Sequence, residues 1–320
     1  MTSTHSRIHT PPQIAAGIAI AAHYDALGAA GSFLGQPSGD LEAFPDGVGY
    51  GIQYAGGTIV WTSETGAHEV HGDIRGKWNQ LGAQNGFLGY PLGDETGTPD
   101  RVGRYNHFQG GSVYWTPATG AHEVHGDIRG KWAELGWETS FLGYPVSDET
   151  GVANGGGRFN DFQGGSIYWS PVSGAHEMRG GLPGQLVFDS GAIVFGTGIA
   201  AGGSAHVTVA PDGSAHFQGG MHDSGAAAYN YSVACVLVDA DHRAYTFAHT
   251  GNIAGTFESG SRDDPWDSPG QNGQIAQNWR SLCAGTQGHW DSRISADIQA
   301  LLGSILTSIG TAAAVIAIIV

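Results

Sequence analysis

The sequence predicts an α+β protein: an array of three 54-residue helix-plus-β-meander repeats, followed by an antiparallel β-sandwich domain with a C-terminal hydrophobic helix. Three observations predict it. Thr65-Gly-Ala-His-Glu-Val-His-Gly-Asp-Ile-Arg-Gly-Lys-Trp78 returns letter for letter at Thr119 to Trp132, an offset of 54 residues. Between residues 186 and 259, β-prone runs alternate with turn-prone clusters, the pattern of an antiparallel sandwich. From Ala300 to Val320 no residue is charged, a run of 21. The implied division is a tail at 1–13, repeats at 14–72, 73–126 and 127–180, a β-sandwich at 181–290 and an apolar helical segment at 291–320.

The 54-residue offset links more than the exact copy. Phe33, Phe87 and Phe141 are in step, as are Trp61, Trp115 and Trp169, His68, His122 and His176, and Tyr24, Trp78 and Trp132. Each unit opens with a helix. In the second, Asp73 is placed as N-cap, Ile74, Trp78 and Leu81 form one apolar stripe, and Gly82 stands where a helix-ending glycine belongs. Asp127, Ile128, Trp132, Leu135 and Gly136 repeat this in the third. In the first, Pro11-Pro12 starts a longer helix, with Ile20, Tyr24 and Leu27 as its stripe and Gly28 as its end.

Phe87-Leu-Gly-Tyr-Pro91 comes next, matched by Phe33-Leu-Gly-Gln-Pro37 and Phe141-Leu-Gly-Tyr-Pro145. Proline forces the preceding residue into extended backbone, and Phe87 and Leu88 are expected to plug the core. A polar loop, Asp94 to Gly103, leads to Arg104–Gln109, a Gly110-Gly111 turn, Ser112–Thr116 with Val113 and Trp115 on one face, a Pro117–Gly120 turn and Ala121–His125. Such a unit cannot bury a core alone, so neighbours must stack on it.

The F-L-G-x-P, F-Q-G-G-[SA]-[IV]-Y-W and G-A-H-E-V runs resemble the LGFP repeat, over residues 14–180. That family occurs in actinobacterial secreted and cell-envelope proteins, for example attached to corynebacterial mycolyltransferases and peptidoglycan amidases. The resemblance implies contact with envelope polysaccharide that holds the carrier on the cell wall, hence an extracellular or cell-surface location. The first copy departs from the pattern at Tyr54-Ala55 and Gln36. After the third copy, Leu182-Pro-Gly-Gln-Leu186 replaces Ile-Arg-Gly-Lys-Trp, which places a boundary near Gly180-Gly181. No mycolyltransferase or amidase sequence is present, so catalytic activity does not carry over.

Composition narrows the partners. Net charge is −16 with only 13 Lys+Arg, against nucleic acid, which needs a basic face, and against a polybasic lipid anchor. The 54 glycines among 320 residues are read as tight turns joining short strands. Cys235 and Cys283 lie outside the repeats with no C-x-x-C; one disulfide and two buried thiols stay open. Met1 to Pro12 is polar, so no secretory signal peptide is expected.

In the C-terminal half, Asp189-Ser-Gly191, Pro211-Asp-Gly213 and Asp239-Ala-Asp-His242 are read as hairpin turns. Ser261 to Asp267 is read as a polar loop, and Gln274–Leu282 and Asp291–Leu302 as helices. The apolar run has three readings: a membrane-contacting helix through residues 300–320, a helix packed on its own sandwich, or the glue of a homo-oligomer.

The candidate carbohydrate-binding residues are Trp61, His68, Glu69, Trp115, His122, Glu123, Trp169, His176 and Glu177. Aromatic faces suit the C–H faces of sugar rings, and imidazole and carboxylate suit their hydroxyls. The structural alternative is equally concrete, since adjacent strand residues point to opposite faces and one of each His–Glu pair can serve packing. His68/His71 and His122/His125 lie on strands, not at helical i, i+4 spacing, so no metal is expected. Asp263, Asp264 and Asp267 offer oxygen ligands for Ca²⁺, with a solvated acidic loop as the alternative. No G-x-S-x-G, P-loop or Rossmann fingerprint occurs. The expectation is a non-enzymatic polysaccharide-binding protein without cofactor; a membrane-acting or self-assembling effector, or a glycoside hydrolase with an unrecognised carboxylate pair, are the alternatives.

Overall fold

The computed structural model describes residues 11–152, 156–310 and, for its backbone, 315–319. Its internal contacts divide the chain into two compact units, 1–150 with 159–167, and 151–158 with 168–320.

Each repeat is a helix followed by a four-stranded antiparallel meander. The first has α1 (Pro11–Ala26), β1 (Glu42–Ala43), β2 (Tyr50–Gln53), β3 (Gly57–Thr62) and β4 (Gly66–His71). The second has α2 (Gly72–Gln80), β5 (Thr96–Gly97), β6 (Arg104–Phe108), β7 (Gly111–Thr116) and β8 (Gly120–His125). The third has α3 (Gly126–Leu135), β9 (Thr150–Gly151), β10 (Arg158–Phe162), β11 (Gly165–Ser170) and β12 (Gly174–Arg179). The sheet orders are β1-β2-β3-β4, β5-β6-β7-β8 and β12-β11-β10-β9.

The long strand of each unit is buried on both faces, and alternation assigns the two faces to different partners. In β3, Ile59 packs with Ile20 of α1, Leu34 and Tyr54. Its neighbour Val60 points the other way, into a core with Val70, Ile74, Trp78, Leu88, Tyr90, Phe108 and Val113. One face therefore closes on the unit's own helix and the other on the next repeat. That is why Gly57-Thr-Ile-Val-Trp-Thr62 reads as a continuous buried run instead of an apolar-polar alternation.

The two glycine motifs of each repeat are two sides of one contact. A Cβ at Gly110 would stand 2.0 Å from the Phe87 carbonyl oxygen, and the same holds for Gly164 with Phe141 (2.0 Å) and Gly56 with Phe33 (2.1 Å). The Gly110 N–H donates to Leu88 O at 2.9 Å. The F-L-G run is thus clamped against the G-G turn, and only glycine permits the approach.

Three local expectations are corrected. Asp73 is not the N-cap of α2: His71 holds that position without a side-chain cap bond. Asp73 sits in the first turn, where negative charge favours the helix N-terminus. Phe87 does not plug the core with Leu88. Leu88 is fully buried, whereas Phe33 and Phe87 are half exposed and lie against the rings of His71 and His125, centroids 4.3 and 4.6 Å apart. Gly82 and Gly136 do end their helices, at φ 97° and 103°.

The C-terminal half contains β13 (Leu186–Val194), β14 (Ala201–Val209), β15 (Ser214–Asp223), β16 (Tyr229–Val238), β17 (Ala244–Ile253), β18 (Asp263–Gln271), α4 (Gly273–Gln277), α5 (Trp279–Gly285), β19 (Gln287–Ile294), α6 (Ile298–Ile309) and β20 (Val315–Ile319). They form two sheets, β13-β14-β15-β18 and β19-β16-β17-β20. The pairing is antiparallel except for β17 with β20. Val207 and Phe217 of one sheet meet Val233, Cys235, Leu237 and Phe247 of the other in one core. On the outer face of β16, Ala234, Val236 and Val238 pack against Leu301, Leu302 and Ile305 of α6. Burial on both faces again explains a continuous apolar run.

The expected single apolar helix at 291–320 is not what forms. Asp291–Ile294 completes β19, α6 spans Ile298–Ile309 and stops at the left-handed Gly310, and 315–319 is a strand. Among the described residues no helix is long and apolar enough to cross a membrane. The reading of 300–320 as a membrane segment falls partly outside the described residues, at 311–314 and 320.

Asp189-Ser-Gly191 is a bulge inside β13, not a turn: the register with β14 shifts between Asp189 and Ala192, and Gly191 takes φ 67°. The turns at Pro211-Asp-Gly213 and Asp239–His242 do join hairpins, β14–β15 and β16–β17. Asp263–Gln271 is a strand rather than a loop; Pro265 and Pro269 fit it because β18 lies at the sheet edge. Its carboxylates are spread apart, Asp263 to His222, Asp264 to Tyr231 and Asp267 to His216. No cluster of His, Cys, Asp and Glu suited to a metal occurs among the described residues. Cys235 and Cys283 are both free thiols; burial pushes Cys283 up to about 12.

Candidate functional site

The His–Glu pairs build the junctions between repeats. Glu69 and Glu123 are each 2% exposed. The Glu69 carboxylate accepts the Glu95 backbone N–H at 2.9 Å and meets His71 Nδ1 at 2.7 Å. Glu123 does the same with Glu149 (2.9 Å) and His125 (2.8 Å). His68 places Nε2 on the Thr65 carbonyl at 2.7 Å and Nδ1 on Asp94 at 3.4 Å. His122 repeats the arrangement with Thr119 (3.0 Å) and Asp148 (3.2 Å).

The carboxylates Asp94 and Asp148, each supplied by the following repeat, are the centres of these junctions. Asp94 also accepts the Glu69 N–H at 3.1 Å and meets His23 of α1 at 2.9 Å. Asp148 accepts the Glu123 N–H at 3.1 Å and pairs with Lys77 of α2 at 2.6 Å. Burial alone would raise these carboxyls. The histidine, lysine and backbone donors outweigh it, holding Asp94 far below the usual carboxylate range and Asp148 at about 2. The bond to Asp94 holds the His68 imidazole above its ordinary value despite partial burial. Buried Asn106 and Asn160 complete the junctions, donating to the Glu69 and Glu123 carbonyls at 3.4 and 3.0 Å. Tyr90 donates to Asp46 (2.6 Å) and Tyr144 to Asp100 (2.7 Å).

Beside the first junction lies a cleft of about 250 Å³ lined by His71, Gly72, Asp73, Ile74, Glu95, Arg104 and Trp115. Trp115 is half-buried and donates its Nε1–H to Asp73 at 2.8 Å, which fixes the indole plane. Arg104 is exposed and paired with Glu95, which also faces His71 Nε2 at 3.3 Å. Burial lowers His71, but the Glu69 and Glu95 carboxylates outweigh it and leave the imidazole raised. The wall therefore offers a fixed indole, a guanidinium and the Asp73 carboxylate on one open surface, with the Glu95 side chain nearly buried behind them. At the next junction, His125 meets Glu149 at 3.3 Å in the same way.

The structure thus brings Trp115 to an open cleft and uses His68, Glu69, His122 and Glu123 inside the junctions. Trp61 packs on the core of the first repeat. Trp169 is half-buried in β11, and Glu177 half-buried in β12. His176 sets Nε2 on the Ser173 carbonyl at 2.6 Å and lines a separate cleft. Sequence reasoning missed Asp94, Glu95 and their counterpart Asp148 by treating Asp94 to Gly103 as a polar loop, and it assigned no role to Arg104, Asn106 and Asn160 on the strands that follow. The signal was present: Asp94-Glu-Thr96 recurs as Asp148-Glu-Thr150 at the same 54-residue offset.

The LGFP repeat family model matches residues 34–86, 88–140 and 142–186. This part of the chain is three LGFP repeats, and their presence suggests a cell-envelope-associated repeat protein. No match to a curated protein was found.

Proposed function

We propose, from the premise that residues 34–186 are three LGFP repeats, that this protein is a non-enzymatic binder of cell-envelope polysaccharide. The repeats grip the glycan and hold the C-terminal β domain at the cell surface. The observation that carries this reading is the cleft at the first junction, where Trp115, Asp73 and Arg104 share one open wall. A fixed indole stacks on the apolar face of a sugar ring, while guanidinium and carboxylate groups address its hydroxyls. The junction bonds supply preorganisation, because groups already held in place lose little freedom on binding.

The test is retention of the full chain on purified arabinogalactan and on purified peptidoglycan. The wild type is expected to be retained. Trp115→Ala and Arg104→Ala should each weaken retention about tenfold or more, as removal of an anchoring aromatic or arginine does, with the melting temperature of Arg104→Ala unchanged. Failure of the wild type to bind either polymer, or retention of both variants equal to that of the wild type, overturns the reading.

A further inference from the structure

The third repeat carries the carboxylate receptor that the first two use at their junctions. In those two, the histidine rests Nε2 on a hairpin-turn carbonyl and turns Nδ1 toward an aspartate of the following repeat, Asp94 or Asp148. His176 rests its Nε2 on Ser173 O at 2.6 Å in the same manner. No fourth repeat follows, and the position 54 residues after Asp148 is Gly202. Among the described residues, Nδ1 of His176 has no hydrogen-bond partner.

The imidazole lines a cleft of about 590 Å³, together with His242, His289, Gln287 and Ser173. Val238, Ala284 and Ile309 supply apolar wall. Asp239 also borders it, but its side chain is fully buried and paired with Arg243 at 3.0 Å, and it accepts the Tyr245 hydroxyl. The cleft therefore presents three imidazoles and an amide without an exposed acid, in a chain of net charge −16. Its volume falls in the range of small-molecule sites, about 300–1,000 Å³.

We propose that this cleft binds a small ligand through a carboxylate hydrogen-bonded to Nδ1 of His176, in the place Asp94 and Asp148 take at the other two receptors. His242, His289 and Gln287 address the rest of the ligand. Both uronic acids and the C-terminal carboxylate of a short peptide carry this group. A second copy of the chain is a poorer occupant. Its first repeat offers Asp40 at the matching position but has Gln36 and Ile52 where the later repeats place the junction residues Tyr90 and Asn106. This cleft shares no lining residue with the one beside the first junction.

The test is a titration of the full chain followed by the His176 side-chain resonances, with two arms. One compares galacturonate with galactose; the other compares N-acetyl-D-alanine with its amide. In at least one arm, the acid should shift the His176 signals saturably and its neutral counterpart should bind about tenfold more weakly or not at all. His176→Ala should abolish the calorimetric heat of the acid that binds. The wild-type resonances make the result independent of how well that variant folds. No His176 shift with either acid, or equal shifts from acid and neutral partner, overturns the proposal. So does a concentration-dependent dimer that His176→Ala dissolves.

Discussion

The first repeat and the second share one set of residues and differ in another, and the division separates what a repeat needs to fold from what it needs to dock. Leu34 and Leu88 are both fully buried, and Gly56 and Gly110 both admit a close carbonyl. Tyr24 and Trp78 both donate to the glycine carbonyl of the F-L-G run, at 2.6 and 2.9 Å. These hold the unit itself together. Tyr90, Glu95 and Asn106, by contrast, reach back to the preceding repeat, and their counterparts are Gln36, Leu41 and Ile52. The first repeat lacks these reaching groups. Asp40 does keep the identity of Asp94 and Asp148 while being exposed; nothing in the structure explains it.

The largest expected effect tests the shared set. Gly110→Ala and Gly56→Ala should each destabilise by about 3 kcal/mol or more, because backbone must move to admit the methyl group. Gly39→Ala, with open space around it, should change little. Chemical denaturation measures all three; tolerance at Gly56 but not Gly110 would break the comparison. The next effect tests the docking set. Asn106→Ala leaves the Glu69 and Gly93 carbonyls without their donor, at a cost of about 2–3 kcal/mol.

Smaller again is Tyr90→Phe, which removes one hydrogen bond to Asp46 and should cost about 1 kcal/mol. Gln36→Ala, at the matching exposed position, should stay within about 0.5 kcal/mol of wild type. Equal losses at both would erase the distinction between folding and docking residues.

Acid titration reads the junction carboxylates together. The folded values of Asp94 and Asp148 lie below the unfolded carboxylate value of about 3.9. Their contribution is therefore fully present above that value and is lost as pH falls through the folded values, down to about 2 for Asp148. The melting temperature should fall in that interval, and Asp148→Asn should flatten the dependence. The His68 and His71 imidazoles, held above their ordinary value, contribute in the opposite sense. Their stabilisation is complete below about 6.5 and is lost as pH rises through the folded values.

Much of this fold was legible in the sequence because repetition states its own period, and helix ends and hairpin turns carry local residue signals such as Gly82, Gly136 and Gly213. What escaped depended on contacts distant along the chain. Glu69 looks like a ligand on a strand and becomes a buried partner only when Glu95, 26 residues on, supplies its N–H. Asp263–Gln271 contains two prolines and reads as a loop until β15 pairs with it. The apolar run after Ala300 resembles a membrane segment by composition, yet Leu301, Leu302 and Ile305 are buried against β16. In the candidate site, the repeated tryptophan was legible, while Arg104 and Glu95 were not, since neither carries an aromatic or histidine signature.

The central claim is that a histidine of one repeat and an aspartate of the next are energetically one element. A double-mutant cycle on His122→Ala and Asp148→Ala measures it directly. The two losses should fail to add by about 0.5–3 kcal/mol, as residues in one hydrogen-bonded network do. The pair Asp40→Ala and His176→Ala should add within about 0.5 kcal/mol. Additivity at His122 and Asp148 would contradict the account.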